Sequence, residues 1–559
     1  MYFGRRLRGL ALAGPLVLGL FATTPVPVAA ASEDNYIVLY GSSSQVQEDQ
    51  VRATGATVTA KLGEAGLLGV RTSHPSALQQ LPGVVGVAKD RMRFSIPKEQ
   101  VVPFNEQQSG SSGCASTQAT CPLQWDLARI HVADAWKTTQ GSAEVKVAVL
   151  DTGLNSTHQE VGANYDKAES KSFVRANPIC SLDKNTHGSI EDFNGHGTWT
   201  GTHVAGVNGE LMTGIAPRAT LVNIRVLGAC GFGYDSWVMN GMLYGSKIGA
   251  QVESMSLGGY MCGHGVVEGS LYCDNAADVG TDPLLWKAYE QLVSHLLKHG
   301  TVVIAAAGNE HAQLDASGQV ISHGTLAGQT ATRDPANDYF GLTEGPGGVP
   351  GVVAVGAVNR VTQAASSTET KFGQYGVGRK DQLTYYSSYG ERIDVSAPGG
   401  ARNYNVPLFD CNSSACARLA FSDATKTDNP GDFGAWGVKG NPGSARCNNC
   451  YAFVQGTSMA TPQVAGVAVL ALSANPKLGP KELVALLKRS VSPFANTNAT
   501  PPIEDDPAMP TWYYSIDYDE AAISNSLMGT GVIDAALAVR RNSNQGGGGG
   551  GGGGGGNQG

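Results

Sequence analysis

Four short runs, far apart in the chain, carry side chains that together could hydrolyse an amide. Asp151 closes Val147-Ala148-Val149-Leu150-Asp151 and is followed by Thr152-Gly153; His196 stands in Asn194-Gly195-His196-Gly197-Thr198. Asn309 follows Ala305-Ala306-Ala307-Gly308, and Ser458 lies in Gly456-Thr457-Ser458-Met459-Ala460. A serine hydroxyl is almost wholly protonated at neutral pH and needs a neighbouring base before it can attack. His196 would be that base, and Asp151 would fix its tautomer and stabilise the imidazolium. Asn309, with the Ser458 backbone N–H, would receive the oxyanion. Each residue alone has a plainer reading, as a turn cap, a turn asparagine or a helix N-cap. The chain order Asp, His, Ser, with Ala460 where a G-x-S-x-G elbow needs its second glycine, argues against a lipase or esterase.

These runs resemble those of the subtilisin-like serine proteases (subtilases), from about Gln124 to about Val539, and Met459-Ala460-Thr461-Pro462 completes the family's serine pattern. The resemblance implies a secreted serine endopeptidase with Asp151, His196 and Ser458 as triad and Asn309 in the oxyanion hole. It also implies an edge strand, Ser256-Leu257-Gly258-Gly259, on which an extended substrate pairs. Ala306, Ala307 and Gly308 would form the other wall of the pocket for the residue before the scissile bond (P1). Neither wall shows clustered Asp or Glu in sequence, so broad specificity with apolar or large P1 residues is expected. Ser458 should begin a helix, with Pro462 in its first turn, where a missing N–H costs nothing.

The histidine segment departs from the family's H-G-T-H-V-A-G. It reads His196-Gly197-Thr198-Trp199-Thr200-Gly201-Thr202-His203-Val204-Ala205-Gly206, as if stretched by four residues. Registering on His203 would put Thr200, which cannot act as a base, at the catalytic position. Only His196 has the Gly-His-Gly-Thr setting, and His203 reads as a packed structural histidine. If the stretch breaks the triad, the chain would be a peptide-binding protein on the same fold.

The elements that must position these residues are an α/β fold. Val145–Leu150, Leu221–Val226, Val302–Ala306 and Val352–Val355 read as strands buried on both faces of a mainly parallel sheet, covered by helices in three layers. Sites in such sheets collect at the carboxyl ends of strands. Residues 122–542 would form this catalytic domain, with 400–455 a polar, disulfide-pinned surface insertion. Residues 1–31 read as a signal peptide: Arg5, Arg6 and Arg8, then a short apolar stretch, then Ala29-Ala30-Ala31. Residues 32–97 read as a small α+β unit placed like a subtilase inhibitor propeptide, with an unrelated exported cap as the alternative. Residues 98–121 would be a linker, maturation falling between about Arg93 and Cys121, and 543–559, with eleven consecutive glycines, a flexible tail.

The formal charge of -8 over 559 residues is no nucleic-acid footprint. No segment after the signal reads as apolar for long enough to span a membrane, so a secreted monomer meeting only protein substrates and its own propeptide is expected. Ten cysteines suit an oxidising compartment. Local pairs Cys114 with Cys121, Cys262 with Cys273, Cys411 with Cys416 and Cys447 with Cys450 would leave Cys180 to Cys230, although spacing does not fix connectivity. No cofactor is required for the chemistry. Structural calcium is possible, with Glu160, Asp334–Asp338 or Glu504-Asp505-Asp506 as candidate ligands and none assignable.

Overall fold

Successive residues of each apolar run point to opposite faces of one sheet, and each face has its own core. Val147, Val149, Leu221, Val252, Val302, Ile304, Val353 and Val355 enter one cluster, while Ala148, Leu150, Val222, Ile224, Met255, Val303 and Ala305 enter the other. The computed structural model describes residues 33–41, 45–95, 102–104, 123–177, 179–207, 211–262, 276–322, 339–359, 381, 383–384, 386–400, 432–439, 448–494 and 525–540, with backbone alone at 102–104 and 276–281. Residues 1–31 and 543–559, and therefore the signal peptide and the glycine tail, lie outside these.

The sheet has nine strands. In spatial order they are Val491–Ser492, Val532–Ile533, Val395–Pro398, Val353–Val358, Val302–Ala306, Val252–Met255, Lys146–Asp151, Thr220–Arg225 and Lys171–Ser172. All neighbours are parallel except the first pair. The serine helix Thr457–Ala474 crosses one face, and helices Asp235–Lys247 and Ala276–Lys298 cover the other. The serine helix has a mean hydropathy of 1.3 over 18 residues, so by length and composition it is apolar enough to cross a membrane, contrary to the sequence reading. Its apolarity reflects burial inside a core on nearly every side.

The N-terminal unit is a four-stranded antiparallel sheet in the order Thr57–Leu62, Leu67–Thr72, Asp34–Tyr40, Val84–Lys89. Its own helices, Glu48–Ala53 and Pro75–Gln79, cover the face bearing Val38, Leu68, Val70 and Val87. The opposite face places Ile37, Leu39, Leu62, Leu67 and Ala88 against Met242, Leu243, Ala288 and Leu292 of the two catalytic-domain helices. That face has no other cover among the described residues.

Two organisational readings need correction. The segment read as linker contains a strand, Val102–Phe104, paired with Tyr451–Val454, which pairs in turn with Asp432–Ala435. The described part of the 400–455 insertion is therefore not a polar surface lobe. Phe433 and Phe453 are fully buried, and Trp199 of the histidine helix clusters with Ala452, Val454 and Met459. Aromatic residues at alternate positions of two short strands supply a core that the polar composition of the whole segment concealed.

Cys180 and Cys230 form a disulfide. Cys262 and Cys450 are also disulfide-bonded. Cys114, Cys121, Cys273, Cys411, Cys416 and Cys447 lie outside the described residues.

Candidate active site

Asp151 is the last residue of its strand, at the carboxyl edge of the sheet. It is fully buried, and its carboxylate is bound on three sides. Oδ1 accepts from Thr152 N–H at 2.6 Å and lies 2.7 Å from His196 Nδ1, while Oδ2 accepts from Thr200 Oγ1 at 3.0 Å. A carboxylate can only accept, so Nδ1 holds the proton and Nε2 is the basic nitrogen. His196 opens the helix His196–Ala205. Asp192 fixes that start: its carboxylate accepts from the backbone of Asn194, Gly195 and Thr198, each at 2.8 Å, and from the Thr152 and Thr198 hydroxyls. Burial pushes the Asp192 carboxyl up, against the pull of these bonds. Gly153, at φ 122°, and Gly197 meet backbone to backbone, and a Cβ on Gly197 would collide with the Gly153 carbonyl. The small residues beside Asp151 and His196 thus serve the contact between the two segments.

The apparent stretch in the histidine motif does not interrupt the helix. One uninterrupted helix runs from His196 to Ala205, and Thr200 serves Asp151 as a donor rather than occupying the base position. Trp199 and His203, one turn apart, stack at 3.8 Å between ring centroids. His203 Nε2 lies 2.8 Å from Asp126 Oδ2, both side chains fully buried, so this histidine is tied into the core.

Ser458 is the second residue of the serine helix, which packs along the histidine helix. Gly456, at φ 155°, makes the turn into it and donates to the Gly399 carbonyl and the Tyr386 hydroxyl. Pro462 is the sixth helical residue, not part of the first turn as expected. Its missing N–H would have bonded the Ser458 carbonyl. Ser256 Oγ takes that place, donating to Ser458 O at 2.8 Å, while Ser458 Oγ lies 3.4 Å from Ser256 O. Asn309 follows the strand Val302–Ala306, and its Oδ1 accepts from Thr457 N–H at 2.9 Å and Thr457 Oγ1 at 2.8 Å. With the carbonyl end of that amide bound, its donor capacity lies in the NH₂ end.

Ser256, Leu257 and Gly258 follow the strand Val252–Met255, and Ala306, Ala307 and Gly308 end and follow the neighbouring strand Val302–Ala306. Sequence reasoning missed two acids here. Glu344, paired opposite Tyr260 in the ladder between Gly259–Met261 and Thr343–Gly345, stands beside Gly258, where a Cβ would lie 2.5 Å from its Oε1. Burial pushes its carboxyl up to about 8. Glu310 accepts from the Tyr260 hydroxyl at 2.9 Å and from Asn309 N–H at 2.7 Å. The sequence premise of walls without acids is therefore corrected: Glu344 comes from a distant strand that no local pattern connects to Gly258.

Glu160, a candidate calcium ligand, is spent on protein donors. Its Oε1 accepts from Leu211 N–H at 3.0 Å, Met212 N–H at 3.3 Å and Tyr451 Oη at 2.6 Å. Among the described residues no group of three or more His, Cys, Asp or Glu could hold a metal ion, and residues 334–338 and 504–506 lie outside them.

A parallel α/β sheet with Asp151 at the end of one strand, a histidine and a serine at the starts of two packed helices, and an asparagine bonded beside the serine is the arrangement that the resemblance to the subtilases implies. Residues 142–530 match the model of the subtilase family, and the chain belongs to that family. It is 27% identical over 377 residues to the M-protease of Shouchella clausii, covering 67% of this chain and 66% of that protein. It is equally 27% identical over 339 residues to subtilisin E of Bacillus subtilis, covering 60% of this chain and 57% of that one. The match thus spans somewhat under two thirds of these relatives. Among solved structures, the epidermin leader peptide processing serine protease of Staphylococcus aureus superposes with a TM-score of 0.58 at 17% identity, covering 91% of this chain and 98% of that one, a likeness of fold.

Proposed function

We propose that the protein is a secreted serine endopeptidase made as a self-processed precursor, acting as a monomer on protein and peptide substrates with broad P1 tolerance. The observation that carries this reading is the bonding of the four candidate residues: Nε2 of His196 left basic by Asp151, and the Asn309 amide turned by Thr457 toward the start of the serine helix. Ser458 Oγ attacks the scissile carbonyl as His196 takes its proton. The Asn309 side chain and the Ser458 backbone N–H hold the oxyanion, and His196 returns the proton to the leaving amine. Water then releases the acyl group by the same steps.

Residues 32–97 act as the inhibitory propeptide, and residues 1–31 direct export. Support for the first comes from strand Met92–Phe94, which leaves the N-terminal sheet and lies in the cleft, paired antiparallel with Phe232–Tyr234. On its other side Phe94 N–H donates to Gly258 O, and Gly258 N–H to Phe94 O, both at 3.1 Å. This is the edge-strand pairing that an extended substrate would make. Calcium, if bound, serves stability and takes no part in the chemistry.

The test compares the full chain with Ser458→Ala for casein hydrolysis and for loss of the N-terminal unit. The wild type should cut casein and shed the unit, and the variant should do neither. A wild type that neither sheds its N-terminal unit nor cuts casein, even after an added protease has removed that unit, would sink the endopeptidase reading in favour of a peptide-binding protein.

A further inference from the structure

The strand in the cleft carries a side chain whose surroundings bear on substrate choice. Arg93 is fully buried, and its Nε donates to Asp235 Oδ1 at 2.7 Å, with Asp235 fully buried as well. Tyr289, also buried, donates its hydroxyl to the same oxygen, and the guanidinium carbon lies 6.0 Å from the Tyr289 ring centroid. Nη1 donates to the Tyr260 carbonyl at 3.4 Å. Gly259 gives the guanidinium room, since a Cβ there would stand 3.1 Å from Nη1. Arg93 Nη2 and Asp235 Oδ2 have no hydrogen-bond partner among the described residues, so the site can still take a two-pronged guanidinium–carboxylate pair. Asp235, Tyr289 and Tyr260 all belong to the catalytic domain, so the pocket stays with the enzyme when the N-terminal strand leaves.

The register gives the pocket its number. Phe94 faces Gly258, and antiparallel pairing continued by two residues sets a substrate residue opposite Ser256, whose carbonyl is 3.4 Å from Ser458 Oγ. That substrate residue owns the attacked carbonyl and is P1. Phe94 therefore marks the third position before the scissile bond, and Arg93 the fourth, P4.

We infer that Asp235, with Tyr289 and the Tyr260 carbonyl, is an arginine-recognising subsite that selects substrates carrying arginine four residues before the cut; the inference rests on the proposed endopeptidase activity. A neutral side chain in this pocket leaves a buried carboxylate without a counter-ion, a mismatch that sites built for polar groups reject strongly. Lysine reaches only as a point charge and lacks the fork that Asp235 and the Tyr260 carbonyl divide between them. Broad P1 tolerance and a strict P4 position are compatible, because the two pockets are built from different residues.

The experiment uses the self-processed wild-type enzyme and internally quenched peptides of the form X-Phe-Ser-Z-Ala-Ser. X is arginine, citrulline, lysine or norleucine, and Z is an equimolar mixture of residues. Casein hydrolysis is measured alongside. The arginine peptides should be cut with kcat/KM at least about tenfold above the citrulline set, a near-isostere without the charge. Asp235→Asn should bring the arginine peptides down to the citrulline level. Equal rates for arginine and citrulline peptides from an enzyme that cuts casein would overturn the subsite and leave the endopeptidase reading standing. Failure to cut casein would instead overturn the activity itself. The wild-type comparison decides the matter even if Asp235→Asn does not fold.

Discussion

Thr457 holds the acceptor half of the Asn309 amide through both its backbone and its hydroxyl, so under the proposed function a substrate would meet only the donor half. A donor fixed before charge develops needs no reorganisation in the transition state, and for that reason one such group is worth so much. Asn309→Ala should lower kcat by about 10²–10³ with little change in KM, since the bond strengthens only as the carbonyl becomes an oxyanion. A steady-state comparison on one peptide substrate checks this, and a change confined to KM would remove Asn309 from the oxyanion hole. The four residues were legible as candidates because each stands in a run of unusual composition. Their supports were not: Thr200 and Asp192 act through contacts across 49 and 40 positions to Asp151 and Thr152, and no local pattern marks such pairs.

At the scale of elements, strands were readable because continuous β-branched runs suit a sheet buried on both faces. Helix details were less so. Pro462 looked harmless in a first turn, but as the sixth helical residue it orphans the Ser458 carbonyl, and Ser256 supplies the missing donor. The serine helix is thereby bonded to the segment that follows strand Val252–Met255, which under the proposed function couples the nucleophile to the edge that aligns the substrate. Ser256→Ala should leave that buried carbonyl unsatisfied and cost about 1–3 kcal/mol. Urea unfolding in the Ser458→Ala background, which prevents self-digestion, measures the loss without interference. A change below about 0.5 kcal/mol would mean that the carbonyl finds another partner and the two elements are not coupled in this way. Glu344 shows the same limit of sequence reading from the other side, since only the ladder opposite Tyr260 brings it to the cleft.

At the scale of the molecule, the two units were legible as a small α+β piece ahead of an α/β domain, but the way they join was not. Beside the apolar face packed on the two helices, the join includes a short series of largely buried polar contacts. Arg91 pairs with Asp282, Arg93 with Asp235, and Asp90 accepts from the Ser236 N–H and hydroxyl at the start of helix Asp235–Lys247. Burial first, and the nearby Asp235 second, push the docked Asp90 carboxyl up to about 7, while Ser236 and Arg93 pull the other way. Once the N-terminal unit is released, Asp90 meets water and should return to the ordinary aspartate range near 3.9. Docking therefore takes up a proton between those two values. The Asp90 contribution is complete below about 4, declines by at most about tenfold in affinity per pH unit, and is gone once pH has risen through about 7. The cleaved N-terminal unit should consequently stay with the catalytic domain at pH 5.5 and separate at pH 7.5, and Asp90→Asn, which cannot ionise, should flatten that dependence. Size-exclusion chromatography of self-processed protein at the two pH values reads both outcomes directly. An Asp90→Asn protein with the wild-type pH slope would assign the dependence to another group and leave Asp90 as a helix cap alone.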